Sequence, residues 1–453
     1  MRSQQLLIAG WLFWAGGGLA IGQHLPASDE FSVARYGSIQ EALTANPGRL
    51  LYVPPGEYRI AEKIRIRSDQ AGLFGPGRIV QANPDVPIIE IEGAAGVQLR
   101  DLVLTRAEGA RDTKAEAVLA IRCRNLVLAD LQVLDNRTAS AAIALRECRG
   151  CQVRHCLVQN YMRISVDDRT GNTDWGYAFR CIDGSGISVG ASQGTLLQGN
   201  RIIEENLLPT REIQQQYDLG KFVKRNPEKG KLISQKTWDQ QSVDNWHQGS
   251  AIIITSPESS DGAQILGNFI DNSAQGIDIH ADRVIVSQNI VQNAFIGMKA
   301  MHGSRHVLIL GNQFSKNDLW AIGLMPGASS HGPGSATGEK ANVDGGSVIA
   351  HNIISDFGGG HAAWIWQSQG RAPIRLDTGQ KPENPPLADV IIEGNIVYDS
   401  PRDERRLDDK PPAPSYRYAV LVASDSGGPR GLHFANNIFH PGSDGVSNVE
   451  LKP

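Results

Sequence analysis

One short phrase recurs along most of this chain, and its spacing constrains the fold more than any other feature. The phrase alternates apolar and polar residues and ends first at Leu102, Leu131 and Cys156. The later copies end in an asparagine instead, at Asn200, Asn268, Asn289, Asn312, Asn352, Asn395 and Asn437. Some neighbouring copies lie only 21 and 23 residues apart. A repeat this short is typical of a solenoid built from stacked coils.

The repeat predicts an all-β fold. Alternation with a period of two favours strands over helices. A coil of this length is too short for a strand, a helix and a second strand, but it accommodates three short strands and three bends. Asparagine tolerates a left-handed backbone at a bend, and stacked amides can hydrogen-bond to one another. The sequence therefore predicts a parallel β-helix of about ten or more coils with an asparagine ladder at one corner.

Longer gaps between copies of the phrase locate insertions. The extra residues fall near 205–247, 327–346, 368–387 and 400–416, and they are rich in Pro, Gly and polar residues, which favours loops. Insertions in solenoids often gather on one face. We expect them to wall a groove.

The N-terminus has the composition of a signal peptide over residues 1–22. The segment Leu6–Ile21 is apolar and ends at the small-residue site Ala20-Ile21-Gly22, which fits cleavage. A membrane anchor is the alternative, but the run is shorter than the roughly 20 residues that a span needs. The sequence predicts a secreted or periplasmic protein with no stable membrane span after cleavage, a cap over 23–50 and a β-helix over 51–453.

Charge and cysteine content narrow the class of protein. The net charge of −4 does not favour nucleic acid as a partner. The five cysteines lie between Cys123 and Cys181, and an odd count leaves at least one thiol unpaired. Cys123 and Cys148 occupy equivalent positions of neighbouring coils. A disulfide there and a buried column of reduced thiols are both open interpretations.

The start of the repeat array resembles a known superfamily. The residues 38–43 predict a short capping helix. The phrase Tyr-Gly-Ser-Ile-Gln-Glu-Ala-Leu at 36–43, followed by Tyr-Val-Pro-Pro-Gly-Glu-Tyr at 52–58, resembles the opening of the pectate lyase-like, or pectin lyase-fold, superfamily with its PbH1 repeats. The resemblance implies a right-handed parallel β-helix that acts on polysaccharides outside the cell. It does not fix the reaction, because this fold hosts lyases, hydrolases, epimerases and non-catalytic proteins.

The strands after the asparagine phrases contain a candidate catalytic site. Their third positions, which face outward, form the column Ala144, Ser188, Ile253, Asp278, Lys299, Gly323. Strand spacing of about 4.8 Å places Asp278 beside Lys299, with His280 on the same face and His302 just beyond. If Asp278 and Lys299 form merely an exposed ion pair, the pair contributes about 0–1 kcal/mol to the stability of the fold. Convergence of a carboxylate, imidazoles and an amine favours catalysis instead.

Two family motifs bear on this site. Asp278-Ile279-His280 is similar to the Asp-Pro-His motif of mannuronan C5-epimerases, which implies roles for Asp278 and His280, although Gln275 stands where those enzymes carry tyrosine. Asn172-Thr173-Asp174 matches the first polygalacturonase motif, but its other motifs are absent. Asp167 and Asp168 are either solvated or oxygen donors of the kind that bind calcium. Calcium is the one cofactor left open, and no metal site is predicted.

Further residues are candidates for substrate binding. Loops predicted to approach the groove carry Arg180, Asp183, Asp244, Trp246 and His247, and downstream aromatic residues are Trp320, Trp364 and Trp366. Aromatic faces offer apolar area to sugar rings. The segment 211–240 has seven Lys or Arg residues against four Asp or Glu residues. It is either a solvated loop or a surface that favours an acidic polysaccharide.

Three functions are consistent with these residues. A lyase or epimerase of uronic acid polymers needs a base and a cation beside the sugar carboxylate. Lys299 or His280 is the candidate base, Lys299 is also the candidate cation, and Asp278 orients one of them. A glycoside hydrolase needs two carboxylates about 5–9.5 Å apart, with Asp244 or Asp183 as partner of Asp278. The third function is carbohydrate binding without catalysis.

Overall fold

The fold is the right-handed parallel β-helix that the repeat predicts. The computed structural model describes residues 31–172, 176–205, 246–247, 249–257, 259–326, 343–360, 369–378, 386–398, 414–423 and 428–453, of which 164–182 and 246–247 are described by backbone alone. Three parallel sheets of 12 strands each run along this part of the chain. Each coil passes through sheet A, then sheet B, then sheet C.

The strands of sheet A are β1 (Leu50–Tyr52), β4 (Gly72–Phe74), β7 (Gln98–Arg100), β11 (Val127–Ala129), β15 (Gln152–Arg154), β20 (Leu196–Gln198), β24 (Gln264–Leu266), β27 (Ile285–Ser287), β30 (Leu308–Leu310), β33 (Gly345–Ala350), β36 (Ala388–Glu393) and β39 (Arg430–Ala435). Those of sheet B are β2 (Glu57–Ile60), β5 (Arg78–Gln81), β8 (Val103–Arg106), β12 (Gln132–Leu134), β16 (Leu157–Gln159), β21 (Arg201–Ile203), β25 (Phe269–Asp271), β28 (Ile290–Gln292), β31 (Gln313–Ser315), β34 (Ile353–Ser355), β37 (Ile396–Tyr398) and β40 (Ile438–Phe439). Those of sheet C are β3 (Ile64–Ile66), β6 (Ile89–Glu92), β10 (Val118–Ile121), β14 (Ala141–Arg146), β19 (Ser185–Gly190), β23 (Ser250–Thr255), β26 (Gln275–Ile279), β29 (Ile296–Met301), β32 (Trp320–Met325), β35 (Ala372–Leu376), β38 (Tyr418–Val422) and β41 (Gly445–Ser447).

A short helix closes the N-terminal end of the solenoid. Helix α1 spans Ile39–Ala45 and follows a 3-10 turn at Val33–Arg35. Its N-cap Ser38 accepts a hydrogen bond from the backbone N–H of Glu41, which satisfies an amide that no helical carbonyl can reach. Its apolar face joins the core cluster of the coils. The helix thus covers the open end of the core, as the capping phrase predicts.

The predicted asparagine ladder is confirmed at the corner between sheets A and B. The Nδ2 atom of each asparagine from Asn200 to Asn395 donates to the Oδ1 atom of the next, at 2.9–3.0 Å. The same Oδ1 atoms also accept backbone N–H groups, as from Asn289 to Asn312. The left-handed backbone belongs to the residue before each asparagine, for example Gly311 with φ 64° and His351 with φ 54°. The asparagine is therefore required for its amide, not for its backbone conformation.

Removal of one rung should destabilise the ladder. The Oδ1 atom of Asn312 accepts two hydrogen bonds from Asn289, and its amide donates to the carbonyl of Val286 and to Asn352. We expect Asn312→Ala to lower the unfolding free energy by about 3 kcal/mol, because several buried polar groups lose partners. Denaturant unfolding measures this loss. Gln313→Ala, at the exposed adjacent residue, is the control, and equal stability of the two variants would contradict the prediction.

The insertions flank sheet C. Each A-to-B corner at the seven ladder asparagines takes two residues, whereas the long connections between described strands all precede or follow a strand of sheet C. One of them forms the hairpin β17 (Arg163–Asn172) and β18 (Gly176–Asp183), which is joined by β22 (Trp246–His247). A small pair, β9 (Asp112–Thr113) with β13 (Arg137–Thr138), lies at the same corner. The outward face of sheet C is therefore the face bordered by additional chain.

The cysteine column is reduced. Cys123, Cys148, Cys151 and Cys156 are free thiols buried in the core. Of the two interpretations that the sequence leaves open, the structure has the buried thiol column for these four residues. The side chain of Cys181 lies outside the described residues, as does the predicted signal peptide at 1–22.

Candidate active site

Register between neighbouring coils assembles the site. The outward column of sheet C pairs Ile253 with Asp278, Asp278 with Lys299, and Lys299 with Gly323. This is the alignment that the sequence predicts. His280 follows β26 two residues after Asp278, so both side chains point to the same face. The charged side chains meet because successive coils keep one register.

The Asp278 carboxylate joins the site together. Its Oδ1 atom lies 2.9 Å from Nε2 of His280, and its Oδ2 atom lies 3.4 Å from Nζ of Lys299. His302 places its ring 4.5 Å from the His280 ring, edge to face. The four predicted catalytic residues thus form one cluster.

The cluster is more buried than the sequence predicts. The side chains of Asp278, His280 and Lys299 are only 5%, 13% and 11% exposed. The alternative of a merely exposed ion pair, which contributes under about 1 kcal/mol of stability, does not fit this burial. Breaking a buried pair by removing one partner costs about 3–5 kcal/mol, because a charge is left without compensation.

Asp278 stays ionised throughout the neutral range. Burial by itself raises the pKa of this carboxyl, but the facing His280 and Lys299 outweigh burial and lower the pKa to about 2. A group with so low a pKa is a poor proton donor or acceptor near pH 7. Asp278 therefore serves to hold the cationic and imidazole groups in place.

The turns that carry both histidines are fastened together. The hydroxyl of Ser304 accepts from the backbone N–H of Ala281 at 3.3 Å and lies 2.8 Å from the carbonyl of Ile279. The two carboxyl oxygens of Asp344 in turn accept hydrogen bonds from the N–H groups of Gly303 and Ser304 at 3.0 and 2.9 Å. Asp344 is buried and was not foreseen from the sequence. These contacts fix the backbone just after His280 and His302.

The other residues that the sequence predicts for substrate binding lie in several strands or outside the described residues. Trp320 begins β32 on the same sheet, and Gln275 is buried at the start of β26 beside Ser250. Arg180 and Asp183 lie in β18, and Trp246 and His247 in β22, where loops were predicted. Asp183 pairs in register with Arg163. Asp244, Trp364 and Trp366 lie outside the described residues, as do the side chains of Arg180, Trp246, His247, Asp167 and Asp168.

One charged residue of the face escaped the sequence analysis. Arg375 lies in β35, in register with Gly323, within the segment 368–387 that was predicted as an insertion. It therefore extends the outward column beyond Lys299. An alignment that followed the apolar pattern of Ile374 and Leu376 could have found it.

The described residues show no metal site and no membrane helix. Within them, no group of three or more His, Cys, Asp and Glu side chains is arranged to hold a metal ion. None of the helices that the structure describes is long and apolar enough to cross a membrane.

Comparison with known proteins supports the fold. No family model matches this chain, and no curated protein matches it in sequence. Among solved structures, it is similar to the A-module of mannuronan C-5 epimerase AlgE6 from Azotobacter vinelandii, with 13% identity, a TM-score of 0.56 and coverage of 91% of this chain and 100% of that one. It is also similar to DFA-IIIase from Arthrobacter chlorophenolicus, with 12% identity, a TM-score of 0.55 and coverage of 95% of this chain and 98% of that one. A third similar structure is the catalytic unit of a GH87 alpha-1,3-glucanase from Streptomyces thermodiastaticus, with 12% identity, a TM-score of 0.52 and coverage of 90% of this chain and 69% of that one.

These similarities define the class of fold. The three structures share the right-handed parallel β-helix fold with this chain along nearly its whole length. The particular reaction has to be argued from the site itself.

Proposed function

We propose that this protein acts on a uronic-acid-containing polysaccharide outside the cytoplasm, as a lyase or an epimerase that removes the proton beside the sugar carboxylate. The single observation that supports this most is the cluster of Asp278, His280, Lys299 and His302 on the bordered face of sheet C. The named activity of the similar epimerase module, on mannuronan, is consistent with it.

Each group has a distinct role in this reaction. Removal of the proton places negative charge on the sugar carboxylate, and the Lys299 cation stabilises that charge in a site with little water. Imidazole is the side chain most suited to proton exchange near neutral pH, so one of the paired histidines takes the proton. In a lyase the other gives a proton to the leaving oxygen. An epimerase needs a proton donor on the opposite face of the sugar ring, which two imidazoles in contact with each other cannot supply. Asp278 holds His280 and Lys299 in position.

A glycoside hydrolase is the alternative, and the carboxylate spacing argues against it. Such enzymes need two carboxyl groups within about 9.5 Å. Along the described outward face of sheet C, the next carboxylate after Asp278 is Asp377, which follows β35 three strands further on. Strand spacing puts it roughly 14 Å away, and Arg375 already holds it at 2.8 Å. A hydrolase would require a carboxylate from an insertion, such as Asp244.

Solvent deuterium exchange tests the proposal directly. The protein is incubated in D₂O with alginate, polygalacturonate and glucuronate polymers, and the recovered sugars are examined by NMR. A lyase gives an unsaturated sugar with strong ultraviolet absorbance, and an epimerase incorporates deuterium at the carbon beside the carboxylate without cleavage. New reducing ends without either signal would identify a hydrolase, and no change in any polymer would overturn the proposal for these substrates.

A further inference from the structure

The outward column of sheet C continues from the candidate active site to a second cation. Lys299 pairs with Gly323, and Gly323 pairs with Arg375. At about 4.8 Å per strand, the two cationic residues lie roughly 10 Å apart along the helix axis. They are therefore suited to carboxylates on different sugar rings.

An indole ring lies between the two cations. A Cβ atom added at Gly323 would lie 3.0 Å from Cε3 of Trp320 and 3.8 Å from Cβ of Lys299. The Trp320 ring is half-buried and packs against the hydrophobic core, and one edge of it occupies the outward space where Gly323 has no side chain. The indole N–H donates to the carbonyl of Gly370 at 3.0 Å, which fixes the ring. A larger residue at position 323 would displace it.

Arg375 is held in a defined orientation. Its Nε and Nη2 atoms both donate to one oxygen of Asp377, at 3.0 and 2.8 Å. Its side chain remains 18% exposed. These contacts use one edge of the guanidinium, and among the described residues no hydrogen bond engages Nη1. A guanidinium with a free edge is well suited to an oxyanion ligand.

We propose that Trp320, Gly323 and Arg375 form a second sugar subsite, in which the indole supports a pyranose ring and Arg375 binds its carboxylate. This inference rests on the proposed function, since it assumes an acidic polysaccharide that also places a sugar ring at Lys299. Gly323 is required for this subsite because the Trp320 indole can lie against the sheet only where position 323 has no side chain.

Binding of defined oligomers tests this subsite. Tetramers of galacturonate, mannuronate and guluronate are titrated calorimetrically into the wild type and into Arg375→Gln, alongside the same tetramers with their carboxyl groups reduced to alcohols. We expect Arg375→Gln to raise the Kd of the preferred uronate about ten- to hundredfold, because a charge-assisted hydrogen bond is lost. The reduced tetramer should show no dependence on Arg375. Arg201→Gln, an exposed arginine of sheet B, should bind as the wild type does.

Tryptophan fluorescence gives a second readout that needs no arginine variant. The preferred tetramer should change the emission of the wild type, and Trp320→Phe should remove that change. If Arg375→Gln fails to fold, Arg375→Lys and the Trp320→Phe spectra decide the question.

The two proposals fail in different ways. A wild-type protein that binds none of the uronate tetramers would overturn the proposed function and this subsite together. If Lys299→Ala weakens binding of a tetramer while Arg375→Gln and Trp320→Phe behave as the wild type, the subsite is wrong and the proposed function stands.

Discussion

Lys299→Ala should reduce turnover on the preferred uronate polymer by about 10²-fold or more. Its ammonium lies 3.4 Å from Asp278 and is nearly buried, so it acts where water is scarce and a developing negative charge is most strongly stabilised. Loss of a general base or of a charge stabiliser has an effect of this size. Initial rates at several polymer concentrations measure it, with the fraction of folded protein determined in parallel.

The folded fraction matters because Lys299 also stabilises a buried carboxylate. We expect Lys299→Ala to lose about 3 kcal/mol or more of unfolding free energy, as other buried pairs do when one partner is removed. Lys299→Arg retains the cation and should lose less stability. Lys316→Ala, at an exposed lysine next to sheet B, is the matched control for activity. A folded Lys299→Ala protein with wild-type turnover would exclude Lys299 from the chemistry.

Sequence periodicity predicts this site well because the coils around it are regular. Between Asn268 and Asn312 the repeat changes by only two residues, so one alignment places Asp278 beside Lys299 and fixes which side chains point outward. The same regularity predicts the asparagine ladder. A register error of one residue would have moved every outward side chain into the core, so the charged column itself confirms the alignment.

The features that escaped prediction depend on contacts that register does not determine. Arg375 follows irregular connections, which hide the strand that carries it. The burial of Asp278 depends on how side chains of adjacent coils pack, and the position of the Trp320 ring depends on the absence of a side chain at Gly323. Asp344 lies 40 residues after Ser304, beyond an insertion. No local pattern could therefore link it to the turn that follows His302.

Asp344 should make the stability of the fold depend on pH in the neutral range. Burial raises the pKa of this carboxyl from 3.8 to about 8, against the opposing effect of the Gly303 and Ser304 N–H groups, and nearby Asp282 raises it further while Arg305 lowers it. Between about pH 4 and pH 8, Asp344 therefore keeps its proton in the folded protein but has released it in the unfolded chain. The unfolding free energy therefore falls as pH rises from about 4 to 8, by at most about 1.4 kcal/mol per pH unit, and levels off above 8.

Asp344→Asn should remove this dependence. Chemical denaturation at intervals from pH 5 to 8.5 should show the wild type losing stability relative to the variant, by several kcal/mol over the range. Asp278 does not interfere, because its lowered pKa stabilises the fold above pH 4 and loses that effect only as pH falls toward 2. Asp389→Asn, at an exposed aspartate of β36, controls for the loss of a surface carboxylate. Parallel stability curves for the wild type and Asp344→Asn would mean that Asp344 is ionised in the folded protein at every pH tested, with its charge fully balanced by the two N–H groups and Arg305.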